Sequence, residues 1–332
     1  MMEQIANDIN KMKRSLLRFY HCGHVVLKPV SGDRLQRESR SWLSPPDPSP
    51  NYNIACEIHQ EGTATWFCEG SVFAKWKAEG FLLWLHGKRA FPILVLQLHK
   101  LMSVAVAGSG KTILMYVVSH HLRSWMLTHS SRSAIIGEID KMRKAGLALM
   151  AYFFFDFRDT QKQHRRDLLS SLLFQLSARS DPCHHIFSRV YLDHDEGAQQ
   201  PSDDALCQCL TAMLKVEGQP ATYIIIDALD ESPNTSGMPT AREKVLQFME
   251  DLTCLELPKV HICVSSRPEI DIWSILEPLA QFHVSLHEES GQMTDISGYI
   301  KSVVHSDRRM RRWTAENKQL VITTLSEKAD GM

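Results

Sequence analysis

Three short runs of this chain have the residue types and spacing to hold a phosphorylated ligand with a divalent cation. The first is Gly108-Ser109-Gly110-Lys111-Thr112, preceded by Ala105-Val106-Ala107. Glycines here let successive backbone N–H groups turn inward and surround a phosphate, an approach that a Cβ would obstruct. Lys111 is then placed for the β- and γ-phosphates and the Thr112 hydroxyl for magnesium. The helix expected to begin near Thr112 adds its positive N-terminal end. The run departs from G-x-x-x-x-G-K-[ST] only at its first position, where Ala105 stands. Its plainer reading is a glycine-rich turn before an ordinary helix.

The second run is Ile224-Ile225-Ile226-Asp227-Ala228-Leu229-Asp230-Glu231. An apolar strand ending in Asp227 delivers a carboxylate to the strand's carboxyl end, where it can hold a magnesium-bound water. Asp230 and Glu231 beyond it can orient an attacking water as a base. A solvated acidic turn is the alternative. The third is Val264-Ser265-Ser266-Arg267-Pro268-Glu269, whose Arg267 can sense a γ-phosphate or serve as a structural arginine paired with Glu269.

Positioning these runs at one edge requires strands that all point the same way. Phe81–His86, Leu147–Phe157, Tyr223–Asp227, Val260–Ser265 and Phe282–Leu286 are apolar runs of strand length. Helical spacing separates them at Asp167–Ala178 and Thr240–Leu255, and follows them near Asp295–Val304 and Ala315–Ala329. Continuous apolar strands alternating with helices predict a doubly wound α/β architecture, a mostly parallel sheet with helices on both faces. Ligands of such sheets bind at the carboxyl ends of the strands. Trp66, Trp76 and Trp84, at or before the first strand, read as core.

Composition narrows the remaining classes. Lys+Arg 37 against Asp+Glu 38 gives a net charge of -1, which argues against nucleic-acid binding by bulk charge. The basic run Arg308-Arg309-Met310-Arg311-Arg312-Trp313 reads as a solvated helix edge. Eight cysteines without a CxxC pair read as reduced thiols of a cytoplasmic protein. No stretch is apolar enough for a membrane span, and Met1–Tyr20 reads as a charged amphipathic helix that packs on a neighbour. The prolines of Ser44–Asn51 mark a break. The expected organisation is therefore a helical segment over 1–43, a linker over 44–53 and an α/β domain over 54–332.

The three motifs in this order resemble NACHT-type signal-transduction P-loop NTPases, and more narrowly the nephrocystin-like N-terminal domain of fungal NLR-like proteins. Gly62-Thr63, Trp66, Phe154-Phe155-Asp156-Phe157 and Arg165-Arg166-Asp167-Leu168-Leu169 fit the same resemblance, which runs from about Trp42 to the last residue. It implies a regulatory module that binds ATP or GTP with magnesium, hydrolyses it slowly and self-associates to activate effector or repeat domains. By that resemblance Gly108, Ser109, Gly110 and Lys111 cradle phosphate, while Thr112 and Asp227 hold magnesium. Asp230 and Glu231 support hydrolysis and Arg267 acts as sensor. The chain would be C-terminally truncated, since such proteins continue into a winged-helix region and repeats. A degenerate interaction scaffold of the same fold and a metabolic P-loop kinase are the competing readings.

Two segments break the pattern. The family joins its first strand directly to the loop, whereas here Gly87-Lys88 is followed by residues 89–106 before Ala107. Leaving out that segment gives G-K-A-G-S-G-K-T and restores the missing first glycine. Leaving out 115–132 joins Ile113-Leu114 to Ser133-Ala134-Ile135-Ile136 as one amphipathic helix. One or both segments read as retained introns or gene-model errors; the alternative is that Leu101–Val106 is the strand that feeds the loop. Transcript sequencing decides: reads that skip the two segments are expected, and reads spanning both without a gap sink the idea.

Overall fold

The computed structural model describes residues 38, 40–50, 53, 64–87, 129–235, 237–286, 290–306, 310–311 and 313–329. Gly108–Thr112, the segment 89–106, most of 115–132, Gly62-Thr63 and the amphipathic stretch Met1–Tyr20 lie outside them. Five strands, β1 (Phe81–His86), β2 (Ala148–Phe154), β3 (Ala221–Asp227), β4 (Val260–Ser266) and β5 (Phe282–Ser285), form one all-parallel sheet in the order β2-β3-β4-β1-β5. Parallel neighbours need long crossovers, and helices supply them. α1 (Thr65–Cys68) and α2 (Ser71–Glu79) precede β1, and α3 (His129–Lys144) leads into β2. Three helices stand between β2 and β3, namely α4 (Arg165–Ser177), α5 (Asp181–Asp193) and α6 (Asp203–Leu214). α7 (Ala241–Thr253) precedes β4, α8 (Ile270–Leu279) precedes β5, and α9 (Ser290–Ser306) and α10 (Ala315–Ala329) follow. The expected α/β architecture is the one observed.

β1 to β4 are largely apolar runs because both of their faces are covered. On one face Leu83, Leu85, Met150, Tyr152, Tyr223, Ile225 and Cys263 meet Phe73 and Trp76 of α2 and Ile135, Ile136 and Ile139 of α3. Trp76 anchors this layer. Its Nε1 donates to the Phe81 carbonyl at 2.9 Å, and its own carbonyl lies 3.0 Å from Nδ1 of His261, whose ring stacks on Tyr223 with centroids 4.3 Å apart. On the opposite face Trp84 packs edge-on against Trp273 of α8, and its Nε1 donates to the Ser266 hydroxyl at 2.9 Å.

Capping residues set the helix starts. Thr240 and Glu243 form a reciprocal capping box on α7, His164 and Asp167 form one on α4, and Ser202 caps α6. α1, α2, α5, α6 and α8 are additional to the helices read from spacing. α3 begins at His129, inside the segment 115–132. The compact unit that contains the sheet starts at Ser39 and therefore includes the proline run; Met1–Glu38 is a separate unit. Trp42 explains the inclusion: it is buried against Phe187, Tyr191 and His194, and its Nε1 donates to the Gln199 carbonyl at 2.8 Å. Among the described residues no helix is long and apolar enough to cross a membrane.

An open edge is the weak point of any sheet, and at β2 side chains of α4 and of the residues after it cover it. Gln175 accepts from the Tyr152 N–H at 3.1 Å and donates back to the Tyr152 carbonyl at 2.7 Å, while Arg179 donates to the Met150 carbonyl. Gln175 thus stands in for a sixth strand at one residue. Gln175→Met, which keeps the shape but removes both partners, is expected to leave two buried main-chain groups unmet. The cost should be about 1–3 kcal/mol per group, read as a lowered urea midpoint with unchanged slope.

Candidate functional site

The carboxyl ends of β3, β4 and β1 lie side by side, with β4 in the middle. Register pairs His86 with Ser266 and Ile226 with Val264, so Asp227 stands level with Ser265 and two residues below Arg267. Two strand spacings of about 4.8 Å separate β3 from β1, so roughly 10 Å lies between Asp227 and the end of the strand that runs into Gly87-Lys88.

Asp227 is the last residue of β3 and is almost fully buried. Burying a carboxylate is costly unless it is hydrogen-bonded, and Ser265 supplies that bond by donating its hydroxyl to Oδ1. The same hydroxyl accepts from the Ala228 N–H at 3.2 Å. Ala228 has φ 54 and ψ 45, left-handed backbone that alanine adopts at a cost of about 1–2 kcal/mol. Ser265 therefore holds both the carboxylate and the turn that follows it. Leu229, wholly buried, plugs the turn into the core, and Leu229–Glu231 form one 3-10 turn closed by the Glu231 N–H on the Ala228 carbonyl at 2.8 Å.

That turn sends the three carboxylates in different directions. Asp230 faces β4: its Oδ1 accepts from the Arg267 N–H at 3.0 Å and its Oδ2 lies 3.2 Å from Arg267 Nε. The Asp230 side chain is 6% exposed, so the ion pair occupies it from both oxygens. Glu231 faces β2, where its Oε2 accepts from the Phe157 N–H at 3.2 Å. Burial pushes the Glu231 carboxyl above the ordinary carboxylate range. Asp230, Asp156 and Asp227 push the same way, against the Phe157 N–H, which favours the charged form. Arg267 pairs chiefly with Asp230 and reaches Glu269 only at 4.0 Å.

Asp227, Asp230, Glu231 and Arg267 are thus brought to one edge, whereas the placement of Gly108, Ser109, Gly110, Lys111 and Thr112 lies outside the described residues. Among the described residues no cluster of three or more His, Cys, Asp or Glu could hold a metal alone. Magnesium does not need one: it commonly takes one or two carboxylates and completes its shell with water and phosphate oxygens. Asp227, a hard oxygen donor steadied by a hydroxyl, fits that pattern.

Arg242 was not among the residues singled out by motif. It lies on the buried stripe of α7 with Val245, Leu246, Met249 and Leu252, and its side chain is 7% exposed. A charged residue on an otherwise apolar helical stripe was the available signal. Its Nε donates to the Ser232 carbonyl at 3.0 Å and its Nη2 to the Asp230 carbonyl. Its Nη1 meets Glu269 at 2.6 Å and Asp271 at 3.1 Å.

A region of 153 residues, 44% of this chain, is 27% identical to the vegetative incompatibility protein HET-E-1 of Podospora anserina. The match covers 10% of that much longer relative. The family model described as "Nephrocystin 3, N-terminal" matches residues 99–267, from shortly before the glycine-rich run to Arg267. That stretch is just over half of the chain and takes in β2, β3 and β4 with all three motifs, so the protein belongs to the nephrocystin 3 N-terminal family.

Proposed function

We propose that this chain is a regulatory nucleoside-triphosphate-binding module of the NACHT type, a switch set by ATP or GTP with magnesium. The observation that carries the reading is Asp227, a buried carboxylate at the end of β3 held by Ser265 on the adjacent strand. It sits at the sheet edge where doubly wound folds bind ligands, in a chain that also contains Gly108-Ser109-Gly110-Lys111-Thr112. Lys111 would bind the β- and γ-phosphates, and Thr112 and Asp227 would hold the magnesium. Bound there, the ion would neutralise phosphate charge.

The remaining residues divide the work of hydrolysis. Asp230 is taken up by Arg267, which leaves Glu231 as the carboxylate best suited to accept a proton from water. A base is most effective when its pKa approaches the working pH, and burial moves Glu231 in that direction. Arg267, beside Asp227 and partly exposed, is suited to detect the terminal phosphate. Likeness to a vegetative incompatibility protein supports a regulatory role, performed in a cytoplasmic setting with self-association or attached effector domains, over a metabolic kinase.

Calorimetry on the intact chain should show magnesium-dependent binding of ATP or GTP that is lost in Lys111→Ala. No binding by the unmodified chain at millimolar nucleotide decides for a scaffold that keeps the fold alone, and phosphate transfer to a small acceptor decides for a kinase. The pH profile of hydrolysis gives a separate check. Glu231 must be ionised to act as base, so kcat should fall on the acid side with a midpoint above the ordinary glutamate value of about 4.3. Glu231→Gln should remove that limb along with most of the turnover; an unchanged acid limb assigns the base elsewhere.

A further inference from the structure

Two loops carry the residues assigned to hydrolysis and phosphate sensing, and among the described residues they have no main-chain ladder in common. One follows β3 and holds Asp230, Glu231 and Ser232; the other follows β4 and holds Arg267, Glu269 and, opening α8, Asp271. Arg242 belongs to neither, yet its guanidinium bonds both. On the β3 side it donates to the carbonyls of Asp230 and Ser232, and its own N–H donates to the Pro233 carbonyl at 3.0 Å. On the β4 side it meets Glu269 and Asp271, and Asn234 adds a bond from the first loop to Asp271 at 2.8 Å.

Asp230 is consequently gripped at both ends, its carbonyl by Arg242 and its carboxylate by Arg267. Stability alone does not call for this device. Replacing a buried ion pair with apolar groups of similar volume is often neutral or stabilising, and Val245, Leu246 and Met249 show that the stripe accepts them. The planar fork of arginine offers instead several donors at fixed angles, which is what holding two loops in one register requires.

We propose that Arg242 is a positioning residue that sets the loop bearing Asp230 and Glu231 against the loop bearing Arg267; its effect on turnover rests on the nucleotide-binding reading above. Arg242 touches no nucleotide. It keeps the Asp230–Arg267 pair in place, so that Arg267 faces the terminal phosphate and Glu231 keeps its distance from it.

The test combines amide hydrogen exchange with nucleotide kinetics on the full chain, comparing the unmodified protein with Arg242→Met and Arg242→Lys. In Arg242→Met the Arg267 amide, which Asp230 accepts, should exchange about tenfold faster or more, as should the turn after Ala228, while β2 amides stay unchanged. With magnesium-ATP and magnesium-GTP, kcat should fall about tenfold or more at nearly constant KM. Arg242→Lys should recover only part of either effect, because one ammonium cannot span both loops. Unchanged exchange over 265–271, or acceleration spread equally across the sheet, overturns the proposal, as does full rescue by lysine. If Arg242→Met fails to fold, Glu269→Gln combined with Asp271→Asn opens the β4 side alone and the same exchange pattern decides. Absence of nucleotide binding by the unmodified chain defeats the functional reading, while the exchange data still settle whether Arg242 positions Arg267.

Discussion

A carboxylate buried at the end of a parallel strand must be met by the neighbouring strand, and for Asp227 the group that meets it is the Ser265 hydroxyl. Much of the edge depends on that contact. The same hydroxyl receives the Ala228 N–H and so steadies a left-handed alanine. A charge-assisted hydrogen bond contributes more than the usual net 0.5–1.5 kcal/mol, enough to offset a conformational cost of about 1–2 kcal/mol. With Ala228 fixed, Leu229 enters the core, and the next two carboxylates leave the turn on opposite sides.

That divergence assigns different chemistry to residues that look alike in sequence. Three acidic groups within five positions would repel one another if they shared a site. Pairing Asp230 with Arg267 offsets one of the charges, and the residual repulsion falls on Glu231 together with its burial. Glu231 is therefore the acid whose proton affinity the environment raises, whereas Asp230 becomes the tether of the arginine. The arrangement also couples the two loops of the edge: any ligand that draws Arg267 away must compete with Asp230, and Asp230 is fixed from behind by Arg242.

Much of the fold was legible because strands buried on both faces are written as unbroken apolar runs. Phe81–His86 was read to the residue, and β3 and β4 to within two. α5 and α6 went unread although Ser180 and Ser202 cap them; α6 mixes Cys207 and Cys209 with polar positions, which blurs its stripe. The proline run was legible as a break in secondary structure but not as part of the compact unit, because the contact that holds its neighbour, Trp42 on Tyr191, spans some 150 residues. At the site, Asp227 and Arg267 could be found from their strand ends. Arg242 could not be found by motif, since its carboxylate partners stand 27 and 29 residues away. Only the anomaly of a charge on an apolar stripe marked it.

The sheet also bears on how the glycine-rich run connects to the fold. β1 is paired on both sides, to β4 through Phe81–His86 and to β5 through Leu83–His86, so the central position beside β4 is filled by Phe81–His86. In the resemblance the first strand runs straight into the phosphate loop, and the residue that follows β1 here is Gly87. Gly87 is the glycine that completes G-x-x-x-x-G-K-T once residues 89–106 are left out. The family match opens at residue 99, inside the segment 89–106. The strand end at His86 places Gly87 at the same sheet edge as Asp227 and Arg267.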